Sequence, residues 1–160
     1  MAIRKIFKIN NDEELAVLRK TSKPVDKFDD RLNLLIEDMI DTMKKADGAG
    51  LSAVQVGILK RVFVVSTEKG IQEFINPEIL ETSGECPILE EGCLSVPGRY
   101  GKVIRPNKVV VKAQDKTGKE FIKTYSGFEA KAIAHENDHL NGVLYIDIEI
   151  KKEKKKKDKK

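Results

Sequence analysis

The hydrophobic positions in the first third of the chain recur at helical spacing. An aspartate of Phe28-Asp29-Asp30 can cap a helix, and the pattern stops at Asp47-Gly48. Between these points the apolar residues fall three and four positions apart; they are Leu32, Leu35, Ile36, Met39, Ile40 and Met43. The pattern predicts an N-terminal helix with one face packed in the core.

Between residues 61 and 125 the pattern changes to short runs of β-branched and aromatic residues. The runs are residues 62–65, 74–75, 109–111 and 121–122, and turn-forming segments such as Lys116-Thr117-Gly118-Lys119 separate them. A second helical pattern extends from about Gly127 to Leu140 and stops at Asn141-Gly142. Residues 143–146 are predicted as one more strand. We therefore expect an α+β fold, with mainly antiparallel sheets packed around the C-terminal helix.

Composition and charge divide the chain into two unequal parts. With 160 residues, 40% hydrophobic and 35% charged, residues 1–150 are expected to form one domain. Residues 151–160 contain eight Lys, one Glu and one Asp, a local charge of +6, so the formal +4 of the whole chain leaves −2 for the rest. Such a like-charge tail is predicted to be disordered. The apolar runs are too short to span a membrane, and the N-terminus lacks a secretory pattern, so we expect a cytoplasmic protein.

The second helical pattern contains an HExxH sequence, His135-Glu136-Asn137-Asp138-His139, with both histidines of the chain. Histidines four positions apart lie on one helical face and can bind the same metal ion. The Glu between them can reach a water on that ion without being a ligand. A hydrolytic metal site is therefore predicted, although a buried helix with two hydrogen-bonded histidines would have the same sequence.

A catalytic site of this kind usually has a third protein ligand. In an extended HExxHxxGxxH motif the third histidine would stand where this chain has Tyr145, and only 21 residues follow His139. Cys93 remains as the best soft donor, in the constrained segment Glu91-Gly92-Cys93-Leu94-Ser95. Cys86 is interpreted as a buried structural thiol, and two cysteines do not indicate a disulfide framework.

Residues 48–57 form a third segment, rich in glycine and other small residues. It lacks the Gly-Lys-Ser/Thr ending of a phosphate-binding loop. Small residues let a backbone approach a ligand closely, and Gln55 offers an amide donor. An ordinary turn is the alternative interpretation.

Taken together, the three segments resemble the peptide deformylase family, which has GxGLxAxQ, EGCLS and HExxD/H-type motifs in this order. They are residues 48–55, 91–95 and 135–139 here, and the resemblance extends over most of residues 1–150. That region is then a single catalytic domain. The chain departs from the family at Ala134, where Gln is usual, and at Ser52 and Val54, which replace the commoner Ala and Pro.

The resemblance implies a hydrolase that removes the formyl group from the N-formylmethionine of new polypeptides and releases formate. Cys93, His135 and His139 would hold one divalent ion that lowers the pKa of its water, and Glu136 would handle the proton. The Gln55 side chain and the Leu94 backbone N–H would stabilise the oxyanion. Ligand type alone permits several metals. The resemblance implies Fe²⁺ in the cell, with Zn²⁺, Ni²⁺ or Co²⁺ as substitutes.

Substrate contacts are carried over in the same way. The backbone of Gly50 is expected to pair with an extended peptide. An apolar pocket for the methionine side chain would be lined by Ala49, Leu89, Phe128 and Ala132, for which plain core packing is the alternative. Arg99 or Tyr100 would contact the peptide further along, or simply lie on the surface.

Other functions remain open at this stage. The tail could hold the protein near ribosomal RNA by salt-sensitive attraction to phosphates, or merely aid solubility. A metalloprotease would cut internal peptide bonds, but it needs a third ligand of another kind. An RNA-binding module with a structural metal would want a fourth protein ligand.

Overall fold

A computed structural model describes residues 2–87 and 90–150. Two helices precede the first strand. Helix α1 (Asp12–Leu18) begins after Asn11, whose side chain accepts the N–H of Glu14 at 3.0 Å. Helix α2 (Asp30–Lys45) begins after Asp29, whose side chain accepts the N–H of Leu32 at 3.1 Å. Helix α2 is the predicted N-terminal helix, whereas α1 was not predicted because its seven residues are too few to show a period.

Five strands form one antiparallel sheet in the order β1-β2-β3-β6-β7. They are β1 (Gly50–Ser52), β2 (Val62–Thr67), β3 (Gly70–Ser83), β6 (Lys108–Gln114) and β7 (Glu120–Ser126). Strands β4 (Glu90–Cys93) and β5 (Val96–Lys102) form a separate antiparallel hairpin that pairs Cys93 with Val96. A 3-10 helix (Ala53–Val56) follows β1 directly and ends at Gly57, which has a φ of +85°.

The long helix α3 (Phe128–Leu140) carries the HExxH sequence and contacts β1, β2, β6 and β7. Strand β2 separates two parts of the core. Val62 and Val64 pack in the cluster that contains α2, whereas Phe63 and Val65 pack with residues of α3. Both faces of β2 are therefore buried, which explains why its sequence is a continuous apolar run rather than an alternating one.

The expected α+β class with antiparallel sheets is confirmed. The strand predicted at residues 143–146 is wrong: a short helix, α4 (Tyr145–Ile148), begins there after Leu144. The N–H of Leu144 donates to the Asp147 side chain at 2.9 Å, and both Leu144 and Tyr145 are buried. A four-residue apolar run fits a buried helical turn as well as a strand, so sequence pattern could not distinguish them.

Two features of the prediction lie outside the described residues, namely Leu89 and the Lys-rich segment 151–160. Within residues 2–87 and 90–150, none of the helices combines the length and the apolar character needed to cross a bilayer.

Candidate metal centre and active-site cleft

The three predicted metal ligands converge from two elements. Cys93 ends β4, while His135 and His139 lie one turn apart on α3. One ligand atom of each residue lies within 4.8 Å of those of the other two, and Cys93 Sγ is 3.3 Å from His139 Nε2. One thiolate and two imidazoles form a donor set that suits zinc and other divalent transition metals. The group can therefore hold one metal ion. Cys86 is not part of it, and its buried thiol donates to the carbonyl of Pro106 at 3.3 Å.

A buried charged network holds the ring of His135. Its Nδ1 lies 2.8 Å from Glu91 Oε1, and Glu91 in turn accepts from Arg105 at 2.8 and 3.3 Å. A third contact joins Arg105 Nη1 to Asp138 Oδ2 at 2.7 Å. Because a carboxylate engages Nδ1, the Nε2 atom of His135 is left for the ion, the usual arrangement for a metal-binding histidine.

Burial and the contacts in this region shift the pKa values of Glu91, His135 and His139 in different directions. Burial raises the pKa of Glu91, but the hydrogen bonds from His135 and Arg105 outweigh it and lower the pKa to about 2. Burial lowers the pKa of His135, yet contacts with Cys93 and Glu91 prevail and raise it. For His139, burial holds the pKa well below its usual value. A metal ion competes with a proton for a histidine nitrogen, so these directions favour ion binding at His139 and oppose it at His135.

Glu136 lies beside the ligands and is buried. Its Oε1 accepts the hydroxyl of Ser52 at 2.8 Å. On the other side, a Cβ atom at Gly50 would stand 2.8 Å from Glu136 Oε2, so only glycine leaves room for this carboxylate. Burial raises the pKa of Glu136, as required of a carboxyl that must hold a proton at some stage of a reaction.

The amide of Gln55 is fixed in orientation within the 3-10 helix. Its Oε1 accepts the N–H of Ser52 at 2.9 Å, and its Nε2 donates to Ser95 Oγ at 3.1 Å. The same Nε2 lies 3.6 Å from Cys93 Sγ. Leu94 follows Cys93 in the turn between β4 and β5, and its Cδ1 atom would be 2.8 Å from a Cβ at Gly48. The first and second motif segments are thus packed against each other beside the metal ligands.

A cavity of about 480 Å³ opens beside these groups. Two of the ligands, Cys93 and His135, line it, as do all the predicted catalytic and substrate residues that the structure describes: Glu136, Gln55, Leu94, Gly50, Ala49, Phe128, Ala132, Arg99 and Tyr100. Phe128 and Tyr100 are 64% and 68% exposed. They form an open rim rather than part of the core. Arg99 Nη2 also pairs with Glu149 Oε1 at 2.9 Å.

Sequence reasoning missed several residues of this site. The sequence marks Ser52 only as a departure from the commoner Ala of its motif, yet its hydroxyl donates a hydrogen bond to Glu136. Glu91 and Asp138 stood inside quoted motifs, but only the structure shows that Arg105 joins them. Lys131 is 8% exposed and lines the same cavity. Its position four residues before His135, on the same face of the helix, is the one signal that could have identified it.

Comparisons with known proteins agree with this geometry. A sequence profile of the polypeptide deformylase family matches residues 3–156. Peptide deformylase 1 of Clostridium perfringens is 53% identical over 152 residues, which are 94% of this chain and 100% of that protein. Peptide deformylase of Caldicellulosiruptor bescii is 51% identical over 151 residues, covering 94% and 88% of the two chains. The crystal structure of peptide deformylase from Thermotoga maritima superposes with a TM-score of 0.87 at 43% identity, covering 93% and 99%. The resemblance drawn from the three motifs is thereby confirmed, and the chain belongs to the polypeptide deformylase family.

Proposed function

We infer that this protein is a hydrolase with the activity of its family: it removes the formyl group from N-formylmethionine at the start of newly synthesised polypeptides. One observation carries the inference. Cys93, His135 and His139 meet within 4.8 Å at a cleft that Glu136 also lines. That geometry matches a metal-dependent hydrolase with three protein ligands and a carboxylate for proton transfer.

We propose that Cys93, His135 and His139 are the ligands of this ion. When bound, a divalent ion supplies a Lewis acid that lowers the pKa of water. Ferrous iron is the proposed ion in the cell, and zinc, nickel or cobalt are substitutes that the same donors accept. The charged contact between His135 and Glu91 supports this assignment because it orients the ring toward the other two ligands.

Glu136 is the proposed acid and base. It accepts a proton from the attacking water as the new C–O bond forms at the formyl carbon. It then returns that proton to the amine as the C–N bond breaks and formate leaves. The burial that raises its pKa favours the protonated stage of this cycle.

Gln55 and Leu94 are proposed to stabilise the oxyanion that develops on the formyl oxygen. Hydrogen bonds already fix the Gln55 amide with its Nε2 on the side of Cys93. A donor that is oriented before the reaction needs no reorganisation when charge develops. Leu94 directly follows Cys93, and its backbone N–H would donate to the same oxyanion from the second motif segment, residues 91–95.

The peptide is proposed to bind along β1, which is an edge strand of the five-stranded sheet. Gly50 would pair its backbone with the extended substrate, as an added strand does. Ala49, Phe128 and Ala132 line the cleft and would contact the methionine side chain together with Leu89. Arg99 would contact a residue further along the peptide. The HExxH helix, with the sheets packed around it, is the proposed frame of this site.

Cellular context follows from the substrate. Because its substrates are nascent polypeptides, we propose that the enzyme acts in the cytoplasm and that the Lys-rich segment 151–160 attracts ribosomal RNA. Deleting these ten residues should reduce co-sedimentation with ribosomes at low salt; unchanged sedimentation would end this part of the proposal.

The proposal is tested by formate release from a formyl-Met peptide under anaerobic conditions, with elemental analysis of the same sample. The Glu136→Gln variant should retain the metal and lose at least about a hundredfold in kcat, because general acid–base catalysis disappears. Glu129→Gln is the matched control, because this half-buried carboxylate lies in the first turn of the same helix and does not line the cleft. Cleavage of unformylated internal peptide bonds would favour a protease instead, and full activity of Glu136→Gln would refute its role.

A further inference from the structure

Ser52 makes the one side-chain hydrogen bond to the Glu136 carboxylate that is found within the described residues. It ends β1 and is fully buried. Its Oγ lies 2.8 Å from Glu136 Oε1 and 2.9 Å from the backbone oxygen of Glu136. Gly50 stands two residues earlier on the same face of the strand, beside Oε2. Strand β1 therefore borders both oxygens of the carboxylate.

A hydroxyl in this position can serve both protonation states of its neighbour. It has one hydrogen to donate and two lone pairs to accept with, and it rotates freely about its C–O bond. Beside an ionised Glu136, the hydrogen points to Oε1. Beside a protonated Glu136, Ser52 Oγ can accept a hydrogen bond from the carboxyl O–H while its own hydrogen turns to the backbone oxygen at 2.9 Å. An alanine could do neither.

We propose that Ser52 is a positioning residue for Glu136. Its hydroxyl fixes the position of Oε1 by a hydrogen bond, so Oε2 stays on the side of Gly50, which lines the cleft. The inference rests on the proposed function, because it assigns Ser52 a part in the proton transfer by Glu136. A purely structural tie between β1 and α3 through the backbone oxygen is the competing explanation.

Ser52→Ala tests the idea with little risk to folding, because alanine is the commoner residue of the family at this position. We expect kcat to fall about tenfold, the size of one lost hydrogen bond to a charged group, while KM changes less than about twofold. Metal content should be unchanged. Ser22→Ala is the matched control: Ser22 is also buried, does not line the cleft, and should keep kcat within about twofold. Ser52→Thr restores a hydroxyl and should recover most of the loss.

A double variant distinguishes a positioning role of Ser52 from a purely structural one. Glu136→Asp shortens the side chain by one methylene and is expected to break the contact between its carboxylate and Ser52. Adding Ser52→Ala to that variant should change kcat less than about twofold, because the interaction is already lost. This comparison also decides the matter if Ser52→Thr is too crowded to fold.

Three results would overturn the inference: wild-type kcat in Ser52→Ala, a loss that returns undiminished in the Glu136→Asp background, or a loss that follows metal content. A wild-type protein that releases no formate would instead overturn the proposed function, and the assignment of Ser52 with it.

Discussion

The two sides of the cleft hold their functional groups by different interactions. On the side of the β4–β5 hairpin, His135 is held by ion pairs among Glu91, Arg105 and Asp138. On the side of β1, the amide of Gln55 is held by neutral groups, namely the N–H of Ser52 and the hydroxyl of Ser95, which reaches across from the β4–β5 turn. The first side supports a proposed metal ligand, and the second supports the groups proposed to act on the substrate.

This difference predicts how each side of the cleft responds to a substitution. A buried ion pair contributes little net stability while complete, but the removal of one partner leaves a charge without compensation. A neutral hydrogen bond contributes about 1 kcal/mol and its loss is tolerated more easily. The charged side should therefore govern folding and metal binding, whereas the neutral side should govern the reaction rate.

Removal of Arg105 should have the largest effect. The guanidinium is 4% exposed and faces two carboxylates. Arg105→Met would leave the buried Glu91 with only His135 as a partner and would leave Asp138 without its ion pair, and we expect the free energy of unfolding to fall by about 3–5 kcal/mol. Urea unfolding of the metal-free protein measures it. Lys112→Met is the control, because the Lys112–Glu120 pair is 42% and 58% exposed and should contribute less than about 1 kcal/mol. Equal losses in the two variants would contradict the comparison.

On the neutral side, Gly50→Ala should act on rate. The new Cβ would stand 2.8 Å from Glu136 Oε2, so the carboxylate must move. A displaced catalytic group can lower kcat by about a hundredfold while stability changes little. Gly48→Ala is the matched variant, because there the new Cβ meets the flexible end of Leu94 and should reduce kcat less. Steady-state kinetics and thermal unfolding of both proteins decide it. A large fall in the unfolding temperature of Gly50→Ala with little change in kcat would contradict the prediction that the neutral side governs the reaction rate.

The two sides also differ in how well the sequence predicted them. Two of the proposed metal ligands, His135 and His139, are four residues apart on one helix, so local spacing was sufficient to predict that they lie together. The strongly periodic α2 was predicted for the same reason. Arg105 lies 14 residues from Glu91 and 33 from Asp138. Contacts over such separations depend on tertiary packing, and nothing in the local sequence marks an arginine that will be buried.

Errors of the prediction fall where local signals are weakest. Helix α1 has seven residues and α4 has four, too few to show a helical period. Ser52 illustrates a different failure. As one small residue in a motif of small residues it looked interchangeable, and its partner Glu136 is 84 positions away. Motif matching located the site, but it could not show which motif residues touch one another.

The pH dependence of the free energy of unfolding should reveal the contribution of Glu91, which lies on the charged side of the cleft. Its pKa is held at about 2 in the folded, metal-free protein, against an ordinary value of 4.5. As pH falls below 4.5, Glu91 becomes protonated in the unfolded chain before it becomes protonated in the folded protein. The contribution of Glu91 is therefore complete above 4.5 and is lost as pH falls toward 2. Glu91→Gln should lack that part of the slope, so its unfolding free energy and that of wild type converge in acid. Parallel curves between pH values of about 6 and 3 would disprove this.

Loss of the Ser95 hydroxyl should have the smallest effect. Ser95 Oγ accepts one hydrogen of the Gln55 amide, while the N–H of Ser52 still holds the other end at Oε1. Ser95→Ala thus removes one neutral restraint, while Cys93 Sγ at 3.6 Å stays within reach of the same Nε2 atom. We expect kcat to fall about threefold and the free energy of unfolding to fall by less than about 1 kcal/mol. Kinetics with a formyl-Met peptide and urea unfolding measure the two, with Ser22→Ala as the control. If Ser95→Ala instead destabilised the fold as much as Arg105→Met, neutral and charged supports would be equivalent here, and the contrast between the two sides of the cleft would fail.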